Sequence, residues 1–430
     1  MEACELLSVE LRLDRIEAEL AGELPPHVRM FALAHARGSP APPAPDALHR
    51  PVTLATARAA LAHPVLADRG LALLRLAAPI AIEADPAVTA ARTAEPTWTA
   101  LSALAAARDA AARARFGRSA LDVLHRLHGS AAHASARRVD GRGGGSHAPT
   151  SRGAVDAGDG ARDARHARGG HGAVDAGSAL SSRGDGAYGT GHALGGGGPD
   201  DGSDAPGPRG SGPIDGGMPP AVAGWFAADG VVVDDDAIAG AWEALRVRHG
   251  VAGAVRFERA VAARPRAFVV DPGREVIVAI PARVGSPAER FAVLHELGHA
   301  VAALALPAGI PRVVDEAAAA YVARAVERDT DAWYSPLAGA ARARRGRLAQ
   351  ALDRIERELP EPPAAPWISE RPPWALWHDP CAQAAYVAAE SLADAIDQAL
   401  GASPAPGALV AALAAHRTPI DRLGSGVYAV

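Results

Sequence analysis

Ser286-Pro287-Ala288-Glu289-Arg290-Phe291-Ala292-Val293-Leu294-His295-Glu296-Leu297-Gly298-His299-Ala300-Val301 is the stretch on which the reading of this chain turns. It opens with a hydroxyl N-cap, a proline at the first helical position and a glutamate at the third that can reach back to the cap, so a helix begins near Pro287. On that helix His295 and His299 stack on one face, and Glu296 projects roughly 100° around the axis from His295. Phe291, Val293, Leu294, Leu297, Val301 and Leu304 place apolar residues all round the cylinder, so the helix is expected inside the protein. Unpaired polar groups cost about 1 to 3 kcal/mol each in an interior. Two imidazoles and a carboxylate there require a partner, and a metal ion is the partner that suits all three.

The spacing is the zinc-peptidase pattern His-Glu-x-x-His. A catalytic zinc takes three protein ligands and keeps a fourth position for water, so a further ligand is needed. The helix should stop around Leu306-Pro307, and a second should begin beyond Pro311 with Val313-Val314-Asp315-Glu316. Glu316 is the candidate third ligand, with Asp315 either its rival or a partner that orients an imidazole. The alanines after Glu316 offer almost no bulk, and Ala300 and Ala303 give the first helix a matching flat face for close approach. One Zn2+ held by His295, His299 and Glu316 would leave Glu296 to act as general base. His378 and Tyr386, in the Ala-rich segment after Trp374, are candidate donors to the tetrahedral oxyanion.

Composition bounds the rest. The chain has 430 residues, 49% of them hydrophobic but only 4% aromatic, with alanine and leucine carrying the apolar load. That balance favours closely packed helices, and a mostly α protein is expected. Lysine and asparagine are both absent, so every basic residue is arginine and N-linked glycosylation is excluded. A net charge of -5 gives no nucleic-acid footprint, and the cluster Arg342-Ala-Arg344-Arg345-Gly-Arg347 is expected to be a solvated helix face. Cys4 and Cys381 lie too far apart in sequence to suggest a disulfide framework. An acidic N-terminus and the lack of an apolar run of about 18 residues point to no membrane span and a cytoplasmic location.

Three regions follow. Residues 1–130 read as helices joined by Pro-rich turns: Leu6, Leu7, Leu11, Leu13, Ile16 and Leu20 fall at helical spacing, as do apolar residues in Val65 to Leu76 and Trp98 to Leu127. Pro40-Ala-Pro42-Pro43-Ala-Pro45 is a stiff connector. Residues 131–220 carry almost no large apolar side chain, repeat Gly-Ala-Val-Asp-Ala-Gly at 153 and 172, and are expected to be a disordered linker whose His147, His166, His171 and His192 are solvated. Residues 221–430 form the metallopeptidase region. There Asp236 can cap a helix through His249 closed by Gly250. Ala267 to Val270 and Glu275 to Ile280 are β-prone runs joined by Asp271-Pro272-Gly273-Arg274, a type II turn signal, so a hairpin should precede the metal helix. A strand edge there could hold an extended peptide backbone.

On these residues the chain resembles the thimet oligopeptidase and oligoendopeptidase F family of gluzincin zinc peptidases. His295-Glu-Leu-Gly-His299-Ala300 is similar to the family's metal motif, and Val313-Val-Asp-Glu316 to its glutamate-ligand helix. Arg264-Pro-Arg-Ala-Phe268, His378 eight residues before Tyr386, and Arg108 to Gly117 in the N-terminal helical half resemble further family segments. The resemblance implies a helical, two-lobed zincin-like fold, a zinc-activated water and short unstructured peptides as substrates. Glu316 follows His299 by 17 residues, a compact spacing shared by regulatory gluzincins that cleave phage-type repressors, which is the second expectation. A non-catalytic scaffold that keeps or has lost its zinc is the third.

Overall fold

The computed structural model describes residues 3–128, 218–261, 264–306, 310–329, 333–358, 374–380, 382–401 and 405–415. Helix accounts for 71% of them, and the only sheet among them has three strands, so the expected mostly α class with a small β element holds. The first seven helices are α1 (Ala3–Arg37), α2 (Asp46–His49), α3 (Pro51–Leu61), α4 (Ala67–Glu83), α5 (Pro86–Arg92), α6 (Trp98–Phe116) and α7 (Ala120–Leu127). After residue 218 come α8 (Pro220–Ala223), α9 (Asp235–His249), β1 (Ala254–Ala260), β2 (Arg266–Asp271), β3 (Glu275–Pro281), α10 (Pro287–Ala305) and α11 (Arg312–Ala323). The last are α12 (Ala325–Arg328), α13 (Ser335–Glu358), α14 (Trp374–His378), α15 (Ala382–Leu400) and α16 (Ala408–Ala415). No described helix is long and apolar enough to cross a membrane.

The expected hairpin is present: β2 and β3 pair antiparallel, Gly273 takes φ +78°, and Arg274 N–H donates to Asp271 O at 2.9 Å. A positive φ at the third turn position is what glycine supplies without a Cβ penalty. The strand missed by sequence reading is β1, which runs parallel to β3 and gives the order β1-β3-β2. Charged Arg256, Glu258 and Arg259 break its apolar pattern, and pairing with β3 imposes the extended state. Central β3 is buried from Val276 to Pro281 because both faces are covered. Val276, Val278 and Ile280 enter the core with α10, α11 and α15; Ile277 and Ala279 enter a second core with Phe268, Val270 and Phe31, Ala32 and Ala36 of α1.

Helix α1 therefore serves two cores. Its first half supplies Val9, Leu13, Ile16 and Leu20 to the N-terminal bundle of α2 to α7, and its second half caps the outer face of the sheet. Leu7 and Leu11, grouped by spacing with the buried leucines, are 55% and 60% exposed. Arg29 pairs with Glu275 at 2.6 Å and Val261 N–H donates to Ala36 O at 2.8 Å, pinning α1 to the strand ends. The N-terminal bundle also takes Leu352 of α13 and Leu376 and Trp377 of α14 into its core. Buried Arg108 joins the two ends of the chain, with Nε to Glu83 Oε1 and Nη2 to Trp377 O, both at 2.7 Å.

Some boundaries shift from expectation. Met218, inside the stretch assigned to the linker, is 2% exposed and packs in a core; residues 131–217 of that stretch, with its four histidines, lie outside the described residues, as does Cys381. The cap of α9 is Asp234 rather than Asp236, since it is Asp234 whose carboxylate accepts from Ala237 N–H at 2.9 Å. In the arginine cluster Arg344 and Arg347 are solvated, but Arg342 pairs with Glu327 at 2.9 Å and the Arg345 guanidinium lies 4.8 Å from the centre of the Phe291 ring. That helix face is thus partly turned inward.

Candidate metal centre

Local sequence sets the phase of α10. Ser286 Oγ accepts from Glu289 N–H, and the Glu289 carboxylate accepts from Ser286 N–H, a complete capping box. Arg290, fully buried on the next turn, donates to the carbonyls of Trp225 and Ala228 and ties the entry segment to this helix. Two turns further in, His295 and His299 stand with ring centroids 4.9 Å apart and planes at 88°. The second helix comes in at van der Waals contact with the first. A Cβ on Gly298 would lie 2.5 Å from Ala319 Cα and 3.1 Å from Ala318 O, so the closest approach is at Gly298. Ala300 and Ala303, expected to form that flat face, are buried in the shared core.

This contact brings Glu316 beneath the two imidazoles. Its Oε2 lies 3.6 Å from His295 Nε2 and 3.7 Å from His299 Nε2, with the carboxylate 2% exposed. Tetrahedral zinc with ligand bonds of about 2.0 to 2.2 Å needs donor atoms about 3.3 to 3.5 Å apart, and both separations from Glu316 Oε2 are within a few tenths of an ångström of that. His295, Glu296 and His299 alone also have ligand atoms within 4.8 Å of one another and could hold an ion. The Glu316 set fits better, because its single oxygen is close to both Nε2 atoms while Glu296 Oε2 already accepts from Ala267 N–H at 2.7 Å. Asp315 is placed behind rather than within the set: its Oδ1 is 3.0 Å from His299 Nδ1, although the ring N–H is not aimed along that line.

The charges of the site suit a cation. Burial opposes protonation of His299, but Asp315, Glu316 and Glu296 outweigh it and push the imidazole up to about 10. Burial, then His299 and Arg345, hold His295 well below its ordinary value. Burial also raises Glu296 to about 7, against the pull of His299 and the Ala267 N–H. Asp315, Glu316 and Glu296 thus surround one imidazole, and a divalent ion would offset two of their three negative charges.

Of the two distal candidates, Tyr386 is brought to this cluster. Arg312 forms a bidentate pair with Asp379, both contacts at 2.7 Å, donates to Tyr386 Oη at 3.4 Å and stands 3.9 Å from Glu316 Oε1. Burial, then the Glu316 charge, push the Tyr386 phenol well above its usual range. His378 ends α14, half-buried, and it is the adjacent Asp379 that holds Arg312. Sequence reading missed Arg312, Asp379 and the roles of Arg266 and Ala267. Arg312 carried one signal, its position four residues before Glu316 on a helix. The others depend on contacts between distant segments. Compared with known proteins, this chain matches no protein-family model, no curated protein and no solved structure.

Proposed function

We propose that the chain is a zinc-dependent metallopeptidase in which His295, His299 and Glu316 hold the ion and Glu296 is the general base. The observation that carries this reading is that Glu316 Oε2 lies within 3.7 Å of both His295 Nε2 and His299 Nε2 across two helices, with a second buried carboxylate, Glu296, beside them. A structural site has no use for Glu296. When bound there, zinc would lower the pKa of water toward about 7 and polarise a peptide carbonyl. Glu296, held at Oε2 by the Ala267 N–H, has its other oxygen to accept a proton and return it to the leaving amine. Arg312 orients the Tyr386 hydroxyl, the donor we assign to the developing oxyanion, and Asp379 fixes Arg312. Asp315 holds the His299 ring in place from its far side.

The resemblance to thimet oligopeptidases and oligoendopeptidase F favours short unstructured peptides as substrates. The test is zinc content by elemental analysis together with a quenched-peptide assay on wild type and Glu296→Gln. The variant should keep its zinc and lose about 10²- to 10⁴-fold in turnover. Equal rates in the two proteins, or a wild type that takes up no zinc, would overturn the proposal. The short connection between α10 and α11 favours, as a second reading, a regulatory gluzincin; an intact repressor-like protein offered in place of the peptide separates the two.

A further inference from the structure

The geometry points to Arg266 as the receptor for a substrate carboxylate, either a chain terminus or an acidic side chain, beside Glu296. This deepens the peptidase reading and rests on it. Arg266 opens β2, an edge strand whose only partner is β3. The next residue, Ala267, gives its N–H to Glu296 Oε2 at 2.7 Å, so the chain itself sets Arg266 next to the general base. Its guanidinium stands 5.8 Å from the centre of the Phe268 ring, which also packs against His35 at 5.4 Å and Phe31 at 5.8 Å.

Several buried arginines here have carboxylate or carbonyl partners. Arg108 has Glu83, Arg290 has two carbonyls, Arg312 has Asp379 and Arg324 has Asp394. Arg266 is half-buried, its Nε is shielded from solvent without a hydrogen-bond partner, and among the described residues it belongs to no ion pair. The acids in its field are engaged elsewhere: Glu296 with Ala267, and both oxygens of Asp379 with Arg312. Burial pulls its pKa down, and it in turn adds to the burial that drives His35 to about 4. His35 is therefore neutral, and its Nε2 is also shielded and without a partner beside the same aromatic ring. A desolvated guanidinium with no counter-charge is costly, and a planar carboxylate matches its fork. Among the described residues no carboxylate is paired with Arg266, and a ligand carboxylate would supply the counter-charge.

The test is calorimetric binding to the full chain, zinc-loaded and carrying Glu296→Gln so that peptides stay intact. Three versions of one short peptide are compared: neutral with an amidated end, neutral with a free end, and amidated with one glutamate. A carboxylate version should bind at least tenfold more tightly than the neutral amide, and which version does so identifies the source of the carboxylate. The advantage should vanish with Arg266→Gln and be partly kept with Arg266→Lys, at unchanged zinc content. Equal binding of all three peptides, no binding of any, or an advantage that survives Arg266→Gln overturns the inference. Failure of the peptidase reading shows separately, as zinc-loaded wild type that cleaves none of the three.

Discussion

At the scale of single residues, the candidate metal site illustrates which side-chain placements are local. His295, Glu296, His299 and Glu316 were legible in the sequence because helical phase alone fixes the first three, and a helix start fixes the fourth. Arg312, Asp379 and Arg266 were not, because each acquires its role from a residue dozens to hundreds of positions away. Asp315 stood between two roles in the sequence, and its place 3.0 Å behind His299 Nδ1 suits the orienting one. Asp315→Asn should accordingly weaken zinc binding by roughly 10- to 100-fold without abolishing it. Competition with a chromophoric chelator measures this; zinc uptake identical to wild type would remove Asp315 from the site.

At the scale of elements, the helices and hairpin with strong punctuation were read correctly, and the elements shaped by their neighbours were not. The Ser286 cap and the Pro272-Gly273 turn are decided within a few residues, so α10 and the β2-β3 hairpin were visible. Strand β1 is extended because β3 offers an edge, and no pattern in its own charged sequence says so. The packing of α10 on α11 is a similar case: small residues were expected to bring them together, but Gly298 is the one position where any side chain is excluded. Gly298→Ala should destabilise the protein by about 1 to 3 kcal/mol, because the added methyl meets backbone rather than a flexible side chain. Thermal melting reads the stability and zinc content reads the site, since parting the helices also moves Glu316 away from the imidazoles. A variant with unchanged melting and zinc content would mean that the pair is looser than described.

At the scale of the whole molecule, buried histidines make stability depend on pH. Burial, then nearby charges, lowers His125 and His249 to about 4, each within a different core. Their folded pKa values lie below the unfolded value of about 6.5, so under acid conditions the unfolded chain binds protons that the folded chain refuses. This contribution is complete above pH 6.5 and is lost as pH falls toward 4, up to roughly 3 kcal/mol for each histidine. Urea midpoints at pH 7.5 and pH 5 should therefore differ, and His249→Gln should flatten the difference. The division into an N-terminal helical region and a catalytic region was also read from sequence, but the cores do not respect it, because α1, α13 and α14 cross between them. A fragment beginning at residue 218 would leave Phe268, Val270, Ile277 and Ala279 without their cover; it should bind a hydrophobic dye and precipitate where the full chain does not. During synthesis the ribosome releases α1 roughly two hundred residues before the strands it lies on, which at ordinary elongation rates leaves its Phe31 side waiting for on the order of ten seconds or more. Folding then requires a long-range closure between the beginning of the chain and its middle, and until it occurs the apolar Phe31 face of the nascent helix is open to a holdase.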